Sequence, residues 1–324
     1  MARPQAELRA VLAAWGIEEI AAAYTPATGT MNATTIVATP HGARILRAYR
    51  HTDRAPIERE HAIIAHVRAY GLPAIGPLPL PDGATFLERN SRFFAVFPRA
   101  EGEQVERNRL GAVEAAAMGR SLARLHQTLA TLPLTATNQR TFVFDRAATL
   151  DGNARLAALI HQRAGLNDLD RAALAWLAGQ RDWLSGLPDS EQPDLASLPR
   201  QVIHGDFQET NVFFTRGEVS AIIDWDQTYA APRTWEVSRV LDLAFGFSPD
   251  LCPPFIAAYR EVAPLALAEL DLAMSVYAYK VGHALWLYDS YYREGNTRLA
   301  QFFPLDGFVS AAESWAMLRL HLTE

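Results

Sequence analysis

Cysteine is almost missing from this chain: Cys252 is the only one among 324 residues. A lone thiol can form no intramolecular disulfide and leaves no cysteine-rich zinc site, so a reducing compartment fits. No apolar run approaches the length needed to span a bilayer. A secretory leader is not expected either, because Leu8, Val11, Leu12 and Trp15 fall at helical spacing among charged residues. These features together predict a cytoplasmic protein. Charge of one sign never collects into a long block and the net charge is only -6, which gives no basis for a nucleic-acid-binding arm. A Gly-x-Gly-x-x-Gly phosphate signature is also missing. Internal repeats and low-complexity segments are not evident. Against these absences stands a hydrophobic content of 49%, enough for a large core, over a length that suggests two domains or lobes.

The order of elements can be read from periodicity and punctuation. Residues 1–24 have the pattern of an amphipathic helix. Strands are expected at 33–38 and 43–49, around the turn Pro40-His41-Gly42. Pro56 suits the first turn of a helix reaching Tyr70. Two further strands, 84–88 and 92–97, complete a small sheet with one helix inserted. Residues 98–102 read as a connector. Beyond about 108 the pattern turns helical, with Met118, Leu122, Leu125 and Leu129 forming a buried stripe. More helices are expected in 131–200 and from Thr234 onward.

One stretch carries chemistry. Val202-Ile203-His204-Gly205-Asp206-Phe207-Gln208-Glu209-Thr210-Asn211 is followed by Ile222-Ile223-Asp224-Trp225-Asp226. Gly205 permits a tight backbone turn closed to most residues. Val212-Phe213-Phe214, a turn at Arg216-Gly217-Glu218, and a returning strand from Val219 to Ile223 form a hairpin that brings Asn211 and Asp224 to one end. One carboxylate can take the proton of an attacking hydroxyl. The amide oxygen and the other carboxylate suit a hard cation such as magnesium.

His-Gly-Asp-x-x-x-x-Asn followed by Ile-Asp-Trp-Asp resembles the aminoglycoside phosphotransferase and choline kinase superfamily, which includes type II homoserine kinases and is related to the protein kinases. The resemblance implies an α+β, two-lobed protein-kinase-like fold. Its N-lobe would be a small antiparallel sheet with one main helix. Its C-lobe would be larger and mostly helical, with a catalytic β-hairpin. The implied division is 1–98 for the nucleotide-binding lobe, 99–104 for a hinge and 105–324 for the catalytic and substrate-binding lobe. The cofactors implied are ATP and Mg2+, with Asp206 as catalytic base, Asn211 and Asp224 as metal ligands and His204 as a structural loop residue.

On the nucleotide side, Arg47 stands where the family usually carries a strand lysine. Ile45 shares its strand face by period two and is placed to cover an adenine. Glu60 lies level with Ile63, Ile64 and Val67 on its helix, so it faces inward and needs a cation, which Arg47 can supply. Glu58 is the weaker alternative. Gly29-Thr30-Met31-Asn32 lies where a phosphate-covering loop belongs, and Phe97 to Glu101, including Arg99, where main-chain groups would hold the base. Asp226, Gln208 and Glu209 are candidates to face the acceptor. Glu236 and Asp242 are better read as solvated or salt-bridged. The aromatics from Tyr277 to Tyr292 read as core rather than as a cation-binding box, and His126 as a packed histidine. His283 remains ambiguous. The function expected is transfer of the γ-phosphate of ATP to a hydroxyl of a small molecule: an amino alcohol, a homoserine-like or choline-like compound, or an aminoglycoside. Two alternatives are a non-catalytic nucleotide-binding module and a metal-dependent hydrolase. The sequence leaves oligomeric state open.

Overall fold

The structure, a computed structural model, describes residues 2–25, 32–140, 142, 144–188 and 192–323. It begins with helix α1 (Ala2–Leu12), a single 3-10 turn, and strand β1 (Ala22–Tyr24). The amphipathic pattern suggested one helix to residue 24, but the helix stops sooner. Gly16 takes a left-handed φ of 68° and donates its N–H to the Ala13 carbonyl, the usual way a helix is closed at its C-terminus. The residues after it pair as a strand.

Strands β2 (Ala33–Thr39) and β3 (Gly42–Ala48), helix α2 (Ala55–Ala69) and strands β4 (Leu87–Arg89) and β5 (Arg92–Pro98) follow. They build a five-stranded sheet in the order β1-β2-β3-β5-β4, and every pairing is antiparallel. Side chains alternate across this sheet as the strand period requires. Leu46, Phe94 and Val96 pack with Val11 and Leu12 of α1. Ala95, Phe97 and Ile45 turn to the other face and pack with Ile57 of α2 and with Tyr49. Arg47 belongs to that second face, opposite Ala95 in register. Helix α3 (Ala112–Leu129) buries the expected stripe of Met118, Leu122, Leu125 and Leu129.

Strand β6 (Asn138–Gln139), helices α4 (Arg146–His161) and α5 (Asp168–Gly186) and strand β7 (Arg200–Ile203) come next. Strands β8 (Val212–Thr215) and β9 (Glu218–Ile222) form a hairpin. Arg216 and Gly217 both have positive φ, as the favoured two-residue hairpin turn demands. The hairpin is extended on either side: Glu103 pairs with Phe214, and Ala74 with Ile222. Strand β10 (Tyr229–Pro232) joins β6 and β7 in a small sheet. Helices α6 (Arg233–Leu243), α7 (Cys252–Arg260), α8 (Leu267–Gly282), α9 (Trp286–Tyr292) and α10 (Ala311–Arg319) complete the chain.

Two compact units result. The first comprises Met1–Gln139, Gln201–Ala230 and Pro254–Ala263, and holds the five-stranded sheet, α1 to α3 and the hairpin. The second comprises Arg140–Arg200, Ala231–Pro253 and Pro264–Glu324, and is helical. In it Tyr277 and Tyr288 are buried, with their rings among Trp235, Trp176 and Phe303. The aromatics expected as core from Tyr277 to Tyr292 are divided between α8 and α9. Among the described residues no helix is long and apolar enough to cross a membrane.

Candidate active site

The loop after β7 is built around two residues. Gly205 has a φ of 84°, and a Cβ there would run into the Gln227 carbonyl and sit 2.8 Å from the Tyr229 ring. His204 is fully buried. Its Nδ1 accepts the Asp206 N–H at 3.3 Å, so Nε2 carries the proton and donates to the Ile223 carbonyl at 3.1 Å. This neutral histidine therefore joins the backbone of Asp206 to the backbone just before Asp224. Its ring packs edge-on to Trp225 at 4.6 Å between centroids.

Asp206 and Asn211 then meet across a single 3-10 turn. The Asn211 amide donates to the Asp206 carbonyl at 2.9 Å and to its Oδ2 at 2.8 Å. The Gln208 amide donates to the same Oδ2 at 3.3 Å. Asn211 thus spends its protons on Asp206, and its Oδ1 is the atom suited to a hard cation. The Asn211 carbonyl accepts from the Ile223 N–H at 3.0 Å, which ties the loop to the far strand of the hairpin. Asp224 follows with a φ of 65°, a left-handed conformation uncommon for a residue with a side chain. Such conformations persist where the surroundings fix them, and they concentrate at functional sites.

The sheet brings a cation to this group. Arg47 donates from Nη1 to Glu60 Oε1 at 2.9 Å and from Nη2 to Asp224 Oδ1 at 3.2 Å. The planar fork spans two carboxylates at once, which a lysine ammonium matches less well. Its guanidinium lies 5.3 Å from the Phe97 ring centre and 5.9 Å from that of Tyr49. Burial works against its charge, but Glu60, Tyr49, Asp224 and Asp226 outweigh burial and raise its pKa further. Glu60 is only 5% exposed. Burial, only partly countered by Arg47, pushes its carboxyl up to about 7. Beside it, His61 is locked between the Tyr49 hydroxyl at 2.9 Å and the Thr85 hydroxyl at 2.7 Å. Burial and then Arg47 lower its pKa to about 4, so it is neutral.

The remaining expected residues are distributed as follows. Ile45 lies opposite Phe97 on the Arg47 face of the sheet. Arg99 is exposed at the end of β5. Gly29 and Thr30 lie outside the described residues. Glu209 is buried, its Oε2 has no hydrogen-bond partner among the described residues, and burial raises its pKa. Asp226 accepts a hydrogen bond from the Asn32 amide, Nδ2 to Oδ2, at 3.1 Å. Asn32 ends the stretch Gly29-Thr30-Met31-Asn32 expected to cover the phosphates, but its bond to Asp226, 194 residues on, was not expected. Among the described residues no three His, Cys, Asp or Glu side chains group as a metal site of their own. Magnesium needs no such group, since one or two carboxylates plus phosphate oxygens suffice. The donor atoms of Asn211 and Asp224, both hard oxygens, fit it.

The sequence profile of the phosphotransferase enzyme family matches residues 25–270. The chain belongs to that family. Like its relatives, this phosphotransferase is an enzyme that delivers a phosphoryl group to an alcohol. It is 27% identical over 278 residues to a homoserine kinase of Chelativorans sp. (strain BNC1), covering 82% of this chain and 79% of that one. It is 26% identical over 232 residues to stress response kinase A of Salmonella paratyphi A, covering 71% and 66%. Its fold is that of a spectinomycin phosphotransferase solved with ADP and spectinomycin, at 14% identity, 98% coverage of both chains and a TM-score of 0.70. The protein-kinase-like α+β architecture expected from the sequence is therefore present.

Proposed function

We propose that this phosphotransferase uses ATP and magnesium to phosphorylate a hydroxyl of a small amino alcohol or hydroxy amino acid of the homoserine kind. One observation carries the reading: Arg47 bridges Glu60 and Asp224, and the segment bearing Asp224 is hydrogen-bonded to the loop that pairs Asp206 with Asn211. In this reading Asp206 is the general base for the acceptor hydroxyl. Its Oδ2 accepts from the Asn211 and Gln208 amides, which fixes the orientation of the carboxylate that would take the proton. Arg47, anchored by Glu60, presents positive charge to the phosphates. Asn211 and Asp224 would hold magnesium, which supplies charge neutralisation at the phosphates. Ile45 and Phe97 would cover the adenine, and the backbone of 97–101, with Arg99 at its end, would hold it. Gly29 and Thr30 would belong to the phosphate-covering loop.

The functional division we assign is 1–98 for nucleotide binding, 99–104 as the connector and 105–324 for catalysis and the acceptor. Glu209 and Gln208 are assigned to the acceptor side. The homoserine kinase relatives support a hydroxy amino acid over choline or an aminoglycoside. Cys252 is buried, and its thiol is pushed up to about 12 by burial and by Asp242, so it is inert. That chemistry suits a cytoplasmic enzyme. The reading as a non-catalytic module rested on the missing strand lysine. Arg47 makes the carboxylate pairing such a lysine would make, which weakens that alternative.

The test is ADP release, screened across homoserine, choline, other amino alcohols, sugars and aminoglycosides. Turnover with one acceptor class, falling at least about 100-fold in Asp206→Asn while nucleotide still binds, is expected of a positioned base. Unaltered turnover in that variant would remove Asp206 from the role.

A further inference from the structure

Asn32 makes two hydrogen bonds that join three separate parts of the first unit. Its Nδ2 donates to Asp226 Oδ2 at 3.1 Å, across 194 residues of sequence. Its Oδ1 accepts the N–H of Arg50 at 3.3 Å. Asn32 itself immediately precedes β2, Arg50 lies just past the end of β3, and Asp226 lies two residues beyond Asp224. The amide therefore fastens the ends of two paired strands to the segment carrying Asp224.

A second tie runs between the same two partners. Arg47 of β3 reaches Asp224 at 3.2 Å. The two ties differ in kind. Arg47 holds Asp224 by the carboxylate that, in the function proposed above, a magnesium ion would engage, so that tie competes with the metal. Asn32 holds Asp226 and leaves Asp224 alone. Asp226 is a partly buried carboxylate two residues beyond Asp224, and the Asn32 N–H is aimed at one of its oxygens. From this geometry we infer that Asn32 is a positioning residue: acting through Asp226, it keeps the Asp224 segment in place against β2 and β3 when Asp224 turns to magnesium and nucleotide. The inference rests on the function proposed above.

The pair permits a test by exchange. In Asn32→Asp, two carboxylates face each other. In the double variant Asn32→Asp with Asp226→Asn, the amide at 226 donates and the carboxylate at 32 accepts both it and the Arg50 N–H, so both bonds of residue 32 are kept and the net charge is unchanged. Magnesium-dependent binding of ADP to the full chain would be measured by titration calorimetry, with unfolding midpoints recorded for each protein. A hydrogen bond to a charged group supports an expected weakening of about 10-fold for Asn32→Ala. Asn32→Asp should weaken binding more, and the exchanged pair should recover most of it. With an acceptor in hand, the loss should appear in KM for magnesium-ATP more than in kcat. An exchanged pair no better than Asn32→Asp, or variants that lower the unfolding midpoint while magnesium-ADP affinity stays at the wild-type value, would overturn the inference. If Asn32→Asp does not fold, Asn32→Ala and the exchanged pair still decide the matter. Failure of the wild-type protein to bind magnesium-ADP would instead sink the proposed function.

Discussion

His61 shows how one side chain fixes the response of this fold to acid. It is 5% exposed and neutral, with its pKa lowered from the usual 6.5 to about 4. The unfolded chain binds a proton there between pH 6.5 and 4 and the native chain does not. Stability from this residue is therefore complete above pH 6.5 and is lost as pH falls through 4. The lowering corresponds to a contribution on the order of 3 kcal/mol. Glu60, raised to about 7, acts with the opposite sign: its contribution is complete below pH 4.5 and is lost as pH rises through 7. The whole-protein profile mixes the two, so the difference between proteins is the measurement. Denaturant unfolding of His61→Asn across pH 4 to 7.5 should show less loss toward acid than the wild type. Parallel profiles would contradict the assignment. Residue identity alone did not reveal this. The sequence reading placed Glu60 inward by its helical period, but nothing in the pattern showed that Tyr49 and Thr85 would enclose its neighbour.

At the scale of elements, the loop from His204 to Asn211 depends on one backbone conformation. Gly205 sits at a φ of 84° with the Gln227 carbonyl and the Tyr229 ring where a Cβ would go. Gly205→Ala should therefore displace the loop and lower turnover by a large factor, with a loss of stability above the roughly 1 kcal/mol typical of point changes. Activity and unfolding midpoint near wild type would show that the loop tolerates the shift. The need for glycine here was legible, because the flanking residues left room only for a tight turn. The hairpin was legible for the same reason: its apolar strands surround Arg216-Gly217. The end of α1 was not. Amphipathic spacing continues past Gly16, and only pairing with β2, which the helical spacing does not register, makes Ala22–Tyr24 a strand. The tie between Asn32 and Asp226 was illegible on similar grounds. It joins residues 194 apart in sequence, and no local period records it.

At the scale of the whole molecule, neither compact unit is one continuous stretch of chain. The first is assembled from three segments, and the chain passes to the second and back twice before it is complete. A fragment of residues 1–139 contains Arg47 and Glu60 but lacks Asp206, Asn211 and Asp224. Such a fragment should show no magnesium-dependent ADP binding by calorimetry, and binding at wild-type affinity would contradict the site as assigned. The interleaving bears also on biosynthesis. A ribosome must release residues through Ala263 before the last segment of the first unit can dock, so for much of its synthesis the growing polypeptide holds the five-stranded sheet with the β8–β9 hairpin and residues 254–263 still to come. Quality control during translation is therefore expected to bear hardest on that interval.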